Sequence, residues 1–188
     1  RTTIFQAYTR FDTLKVHNSM FANNEIELSA SKMSDSTNVL AIASMRSENQ
    51  ALGPHLKTHD LLAEGVWNNS YINFGLDADQ VNQTNNVRVK GIVDFLADST
   101  TIRMEPSSLR LLEREWSFKR DNFIKIKNNG WRFYDVALVN GRQSISLDGI
   151  VSDNPAHELS LDVESLDLSL LNVLTNKRFT GVMDANVK

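Results

Sequence analysis

Two histidines and an aspartate lie close together in the sequence at a spacing that could hold a metal ion. His55 and His59 are four residues apart, and Asp60 follows directly. On a helix this spacing would place both imidazoles on one face, as a zinc site requires. The preceding Gly53 and Pro54 favour a loop instead, and the glutamate of the HExxH pattern is missing. The pattern is more typical of a solvated surface, and we predict neither a metal nor a cofactor.

A second group of ionisable residues could supply a pair of catalytic carboxylates. Glu113, Glu115 and Asp121 are close in the sequence, but basic residues alternate with them, which is typical of a solvated face. The sequence contains no GxSxG nucleophile elbow, no glycine-rich phosphate loop and no dinucleotide-binding fingerprint. These observations predict that the protein is not an enzyme.

The composition is that of a folded protein. Of the 188 residues, 41% are hydrophobic and 23% are charged, which excludes a largely disordered chain. The net charge of -3 and the scattered basic residues give no footprint for nucleic acid. Because there is no cysteine, neither a disulfide framework nor a thiolate zinc site is possible, which is compatible with the cytosol or a bacterial periplasm.

The segment at residues 129–155 shows how the chain is built. Ile145, Leu147 and Val151 point to one side of an extended chain, and the polar residues between them point to the other. Similar alternating segments recur along the sequence and are separated by Asn, Gly, Asp and Ser, which are turn-forming residues. The sequence therefore predicts an all-β protein of many short strands with one apolar face that something must cover.

Two segments could depart from this pattern. A short helix is predicted within residues 48–64 or within residues 107–115, where Ser107 or Ser108 could cap it. In the second segment the alternative is a continued strand. We therefore expect at most one or two short helices in an otherwise all-β chain.

The alternation changes phase near the C-terminus. Leu161 and Val163 alternate in one phase, whereas the leucines from Leu166 onward alternate in the opposite phase. A turn or bulge near Glu164 and Ser165 must reset the register. One helical turn can follow in the sequence DLSLLNVLTNKRF.

The C-terminal half carries a set of motifs in a fixed order. A Trp is followed by an Asn before isoleucine strands, then by L-x-N-x-x-Q-x-I-x-L-x-G, by S-x-N-P, by L-x-L-x-x-x-x-L-x-L and by a closing Gly. Because it carries these motifs in this order, the chain resembles the TamB family of AsmA-like envelope proteins over roughly residues 100–188. The resemblance is to the form of the family found in Bacteroidetes. The matching positions are Trp116, Asn122, Ile124, Ile126, Val139, Asn140, Gln143, Ile145, Leu147, Gly149, Ser152, Asn154, Pro155, Leu159, Leu161, Leu166, Leu168 and Gly181.

The resemblance implies a fold and a function. Proteins of this family are anchored, periplasm-spanning proteins whose strands stack into an elongated, curled antiparallel or mixed sheet, the β-taco, with an apolar groove. They are linked to phospholipid transport between the inner and outer membranes and to outer-membrane assembly with an Omp85-type barrel partner. We therefore expect residues 1–188 to be a single β-rich segment excised from a longer repetitive periplasmic protein that is anchored to the inner membrane. Strand edges near residues 4–8 and 182–187 would be unpaired.

Two ways of covering the apolar face remain open. Phospholipid acyl chains would cover an open groove, whereas a second sheet would cover the face in a β-sandwich, as in a structural or adhesive module of a bacterial surface protein. At about 0.8 kcal/mol per methylene, two acyl tails with about thirty methylenes cost about 24 kcal/mol to expose, so a conduit must be apolar without interruption. The residues predicted to line a groove are Ile72, Phe74, Leu76, Val87, Val89, Val93, Phe95, Ile145, Leu147, Leu159 and Leu161.

Overall fold

The protein folds as one antiparallel β-sheet. The computed structural model describes residues 1–35, 37–52, 56–81, 85–111, 114–173 and 178–188. Within these residues there are fourteen strands and one 3₁₀ helix, Leu168–Val173, which lies between the last two strands. The strands are β1 Thr2–Val16, β2 Ser19–Met33, β3 Val39–Ala51, β4 Lys57–Asn68, β5 Tyr71–Gln80, β6 Asn86–Phe95, β7 Thr100–Met104, β8 Ser108–Leu111, β9 Arg114–Phe118, β10 Phe123–Lys127, β11 Gly130–Asn140, β12 Gln143–Val151, β13 Leu159–Asp167 and β14 Val182–Val187.

The strands follow one another across the sheet in sequence order. The order is β1 to β7 and then β10 to β14, while β8 pairs with β6 and β9, and β9 pairs with β11. Since β7 and β8 both pair along β6, and β9 and β10 both pair along β11, each of these two pairs is one long strand with a break. The sheet is therefore a simple antiparallel meander whose turns alternate between its two ends.

Two polar side chains bridge the break in the interrupted strands. Asn122 is only 2% exposed. Its Oδ1 accepts a hydrogen bond from the Met104 N–H (2.9 Å), and its Nδ2 donates to the carbonyl oxygens of Met104 (2.9 Å) and Lys119 (2.6 Å). Ser107 Oγ accepts a hydrogen bond from the Lys90 N–H (2.9 Å). These side chains replace the backbone hydrogen bonds that the break removes.

Three register shifts mark β-bulges. Asp60 in β4 (φ 53°), Asp135 in β11 (φ 46°) and Ser165 in β13 (φ 50°) lie at these shifts and have positive φ angles. An extra residue in one strand bends it and increases its twist. The bulge at Ser165 resets the phase of β13, as the sequence predicts.

Neither of the two predicted helices forms among the described residues. Most of the range 48–64 belongs to β3 and β4, and the range 107–115 contributes to β8 and β9; residues 53–55 and 112–113 lie outside the described residues. A helix in these ranges is therefore wrong for the described residues, and in 107–115 the alternative of a continued strand is confirmed. The reason is that local helix preference is weak, and adjacent strands offer the backbone a complete set of partners. The one helical segment of the described chain is the 3₁₀ helix, where the sequence permits a single turn.

Few hydrophobic side chains are fully buried. Leu109 and Trp116 of β8 and β9 form one cluster with Leu166 of β13 and Leu170 of the 3₁₀ helix. In a flat sheet β9 and β13 would be about 14 Å apart, given a strand spacing of about 4.8 Å. An ion pair between Arg114 Nη2 and Asp167 Oδ2 (3.3 Å) joins the same two strands. The sheet is therefore curled in this region.

All described strands belong to one sheet, and no second sheet faces it. The alternative of a two-sheet sandwich is accordingly wrong for the described residues. The curl brings parts of the same sheet together instead, since the buried cluster has partly buried neighbours on seven strands.

Candidate functional site

A continuous row of apolar residues crosses the sheet. Residues that pair directly on neighbouring strands lie on the same face, so the register traces the row. At each step of about 4.8 Å the row supplies a further apolar group or a glycine. From β1 to β13 it consists of Phe5, Ala30, Ala41, Trp67, Ile72, Val93, Ile102, Ile124, Phe133, Gly149 and Leu159.

The register places all eleven predicted groove residues on the face that carries this row, which we call the apolar face. Ile72, Val93 and Leu159 belong to the row itself. The others lie an even number of positions from the row along the same strands, and side chains at even spacing share a face. They are Phe74, Leu76, Val87, Val89, Phe95, Ile145, Leu147 and Leu161.

The apolar face is only partly buried. Leu76 is 37% exposed, Phe95 44% and Leu161 39%, and the other predicted groove residues are half-buried. A contiguous apolar surface of this kind on a protein marks an interaction site.

The two ends of the strands differ in how the apolar face is covered. At the end that carries the 3₁₀ helix, the covered end, Leu170 is 5% exposed and packs into the buried cluster. At the other end lie the β4–β5, β6–β7, β10–β11 and β12–β13 turns. There Trp67 (46%), Trp131 (49%) and Val151 (47%) of the apolar face are exposed, and we call this the open end.

The opposite face of the sheet, the polar face, carries ion pairs. Arg10 pairs with Glu25 across β1 and β2, and Arg88 Nε lies 3.3 Å from Asp77 Oδ1 across β5 and β6. Exposed pairs of this kind contribute little to stability individually. These pairs distinguish the polar face from the apolar face, although Ile4, Leu40 and Ile42 are also exposed on the polar face.

The shifted pKa values belong to exposed ion pairs. The hydrogen bond from Lys127 (2.7 Å) lowers the pKa of Asp98 to about 2, and a second hydrogen bond from Ser99 acts in the same direction. The hydrogen bond to Asp135 (2.5 Å) raises the pKa of Lys119. Asp98 lies in the β6–β7 turn and Lys119 lies in the strand break between β9 and β10.

The histidine pair of the sequence is not observable as a pair, because His55 lies outside the described residues. His59 Nδ1 lies 2.7 Å from Asp60 Oδ2. Asp79, directly opposite His59 on β5, brings a third ligand atom, and the three atoms lie within 4.8 Å of one another. Asp60 is largely exposed, so the group is a surface ion pair when the imidazole is protonated.

Sequence reasoning missed part of the apolar face. Trp67, Ile102 and Phe133 belong to the row but are not among the predicted groove residues. The sequence does contain a signal for the apolar face of β10, because Ile124 and Ile126 alternate with lysines in the sequence FIKIK. In β2 the signal is weak, because Ala30 of the apolar face alternates with Ser29 and Ser31, which differ little from it in size. In β3 the larger residues Leu40 and Ile42 flank Ala41 and lie on the opposite face.

Comparison with known proteins assigns the chain to no family. No family model matches it, and no solved structure matches it. A stretch of 136 residues, 70% of the chain, is 26% identical to the protein translocase subunit SecA of Brachyspira hyodysenteriae (strain ATCC 49526 / WA1), and the match spans 13% of that protein. This similarity is too low and too partial to show a shared family. None of the described residues forms a helix with the length and hydrophobicity needed to cross a bilayer.

Proposed function

We propose that this chain is a segment of a periplasm-spanning lipid conduit that binds phospholipid acyl chains on its apolar face. In this role it would serve phospholipid transport between the inner and outer membranes and outer-membrane assembly. The observation that carries the proposal is the uninterrupted apolar row across eleven strands. The resemblance of residues 100–188 to the TamB family supports the same function, and with it a periplasmic location and an Omp85-type barrel partner.

The continuity of the row matters because of the energetics of lipid transfer. Each methylene that leaves the bilayer without cover costs about 0.8 kcal/mol, so a single polar interruption would act as a barrier. The strands run across the row, and each therefore contributes one apolar step. An acyl chain is longer than the strand spacing of about 4.8 Å, so it would always contact several strands at once.

The partial burial of the apolar face also favours a ligand over a protein covering. A sandwich module would bury this face against its own second sheet, and the described strands form one sheet. Among the residues whose side chains the structure describes, the buried hydrophobic ones are only Leu109, Trp116, Ala137, Leu166 and Leu170. An adhesive module with a closed core is therefore the weaker candidate.

A charge placed on the apolar face tests the proposal. Leu76 lies between Ala63 and Val89 on this face and is 37% exposed, so an aspartate there can keep its carboxylate hydrated. We expect Leu76→Asp to abolish crosslinking to a phospholipid that carries a photoreactive group in its acyl chain. The free energy of unfolding should fall by only about 1 kcal/mol, because the new charge is not buried.

Asn73→Asp is the matched control, because Asn73 is exposed on the polar face of the same strand. It should leave both crosslinking and stability unchanged. Absence of acyl crosslinks to the unmutated chain, or equal crosslinking of the two variants, would contradict the proposed function.

A further inference from the structure

We propose that a pocket on the polar face, at the open end of the strands, binds a phosphate-type oxyanion. The pocket has a volume of about 190 Å³ and lies beside the β10–β11 turn and His157 of the β12–β13 turn. The charged and titratable side chains that line it are Lys125, Lys127, Arg132 and His157. It lies on the opposite face from the proposed acyl-chain surface, so the two proposals can fail independently.

The charges in this pocket are unbalanced. Lys125 and Arg132 are directly opposite each other on β10 and β11, and like charges in this arrangement destabilise a sheet. Their outer neighbours in the same row are Thr101 and Ile150, which carry no charge. Among the described residues, no carboxylate lies within ion-pair distance of either cation. An anion between them would turn this repulsion into attraction.

The third cation of the pocket already has a partner. Lys127 Nζ lies 2.7 Å from Asp98 Oδ2. The pKa of Asp98 is lowered mainly by this hydrogen bond, and the charge of Lys125 adds to the effect. Lys125 therefore acts on Asp98 from a distance without being paired with it. Among the three cations that line the pocket, Lys127 alone is ion-paired in the part of the chain that the structure describes, which leaves an excess of positive charge.

A hydrogen bond to Ser152 orients the His157 ring. Ser152 Oγ lies 2.7 Å from His157 Nδ1 and accepts a hydrogen bond from the Asn154 N–H (3.0 Å). The Ser152 hydroxyl can then donate its proton to Nδ1, which places the imidazole proton on Nε2. In that tautomer, Nε2–H is the remaining donor of the ring, and His157 lines the pocket.

The donor set suits a tetrahedral oxyanion better than a carboxylate. A guanidinium, an ammonium and an imidazole line the pocket from two strands and a turn, and such separate groups suit the several oxygens of one phosphate. A polynucleotide is a poor match, because the whole chain has a net charge of -3. The phosphate can come from a phospholipid headgroup or from a free phosphate.

The open end favours the headgroup as the source. Trp131 and Val151 are exposed on the apolar face there, and Arg132 and Ile150 are their neighbours in sequence on the polar face. Apolar and cationic groups therefore lie together at one strand end. A membrane surface presents the complementary combination of phosphate groups above apolar chains, and tryptophan is enriched at such interfaces.

Calorimetric titration of the whole chain with inorganic phosphate at low ionic strength tests the site. We expect the double variant Lys125→Gln with Arg132→Gln to bind phosphate at least about tenfold more weakly, since charged hydrogen bonds are lost. The control is Lys32→Gln with Arg142→Gln, which removes the same charge from two exposed residues away from the pocket. The control should bind phosphate as the unmutated chain does.

A second measurement separates a binding role from a folding role. Phosphate should raise the melting temperature of the unmutated chain above its value in chloride at equal ionic strength, and it should not do so for the pocket variant. Because Lys125 and Arg132 repel each other, the pocket variant should itself melt no lower than the unmutated chain. Failure of phosphate to bind, or equal binding by the pocket variant and the unmutated chain, would overturn the proposal.

Vesicle flotation identifies the source of the phosphate. Binding to phosphatidylglycerol-containing vesicles but not to pure phosphatidylcholine vesicles, with loss in the pocket variant alone, would support an anionic headgroup. Binding of inorganic phosphate without vesicle binding would support a free phosphate at the same site.

Discussion

Polar side chains occupy the most enclosed positions of the N-terminal strands. Asn24 and Ser47 are 1% and 2% exposed. Asn24 Nδ2 donates to the carbonyl oxygens of Phe11 (3.3 Å) and Phe21 (3.0 Å), and Ser47 Oγ donates to that of Ala22 (3.1 Å). These side chains satisfy backbone groups where the ladder between strands is irregular. At the scale of single residues, amides and hydroxyls thus hold together a sheet that has little hydrophobic core.

The same principle predicts the effect of removing Asn122. In Asn122→Ala, the buried N–H and C=O groups of Met104 lose their partner, and an unsatisfied buried group costs about 1–3 kcal/mol. We expect urea unfolding to show a loss of about 2–4 kcal/mol. Asn73→Ala, at an exposed strand position, should change stability by less than about 0.5 kcal/mol. Equal effects of the two variants would show that Asn122 does not stabilise the strand break.

A pH titration tests the ion pair at Asp98. Its pKa lies at about 2 instead of the ordinary 3.8 because Lys127 donates a hydrogen bond to it. The folded-state pKa is lowered, so the pair stabilises the fold above pH 3.8, and this contribution disappears as the pH falls towards 2. In Lys127→Gln, NMR titration should show the pKa of Asp98 raised towards 3.8. In Lys188→Gln, which removes a distant cation, the pKa should not change, and an unchanged value in both variants would refute the role of Lys127.

Among the elements, the 3₁₀ helix has a defined packing role. It connects β13 to β14 and places Leu170 against Leu109, Trp116 and Leu166. This contact covers one end of the apolar face, while the other end remains open. The two ends of the apolar face therefore differ: the 3₁₀ helix covers one end, and the other end is open.

Truncation of Leu170 measures this contribution. Leu170 is 5% exposed, and removal of a buried leucine side chain costs about 2–5 kcal/mol. Leu161→Ala is the control, because Leu161 is 39% exposed on the same face and its loss should cost about 1 kcal/mol or less. We expect chemical denaturation to rank the variants in that order. The reverse order would mean that the 3₁₀ helix does not pack as a cover.

The whole molecule behaves as a one-dimensional stack. Each strand contacts its neighbours along the meander, as repeats do in a solenoid. Among the described strands, β1 pairs only with β2 and β14 only with β13, so these two strands form the edges of the sheet. Open edges with exposed apolar side chains promote pairing with further strands. β1 exposes Ile4 (66%), Phe5 (56%) and Tyr8 (53%).

This arrangement predicts association of the chain through its edges. Sedimentation velocity should show concentration-dependent self-association, and the double variant Ile4→Lys with Phe5→Lys should shift the protein towards the monomer, because lysines protect edge strands. The control, Leu40→Lys with Leu96→Lys, adds the same charge at exposed apolar residues away from β1 and β14. A monomer at all concentrations would contradict the prediction.

The local alternation of the chain determined the class of fold and the composition of its faces. Ile145 and Leu147 share a face because successive side chains of a strand point to opposite sides. For the same reason, the phase change between Val163 and Leu166 identified the bulge at Ser165 before any partner strand was considered. The same alternation marked all eleven groove candidates as apolar strand residues.

The tertiary structure alone decided which strands are neighbours and where they are interrupted. The segments with helical sequence signals form strands because neighbouring strands supply hydrogen-bond partners to the backbone of β3, β4, β8 and β9. These partners lie on other strands, so the local pattern does not reveal them. The opposition of Lys125 to Arg132 depends on the register between β10 and β11, and the cover formed by Leu170 depends on the curl of the sheet. Alternation is a property of one strand, whereas register and curl are properties of pairs and stacks of strands, so a single sequence reveals the first and not the others.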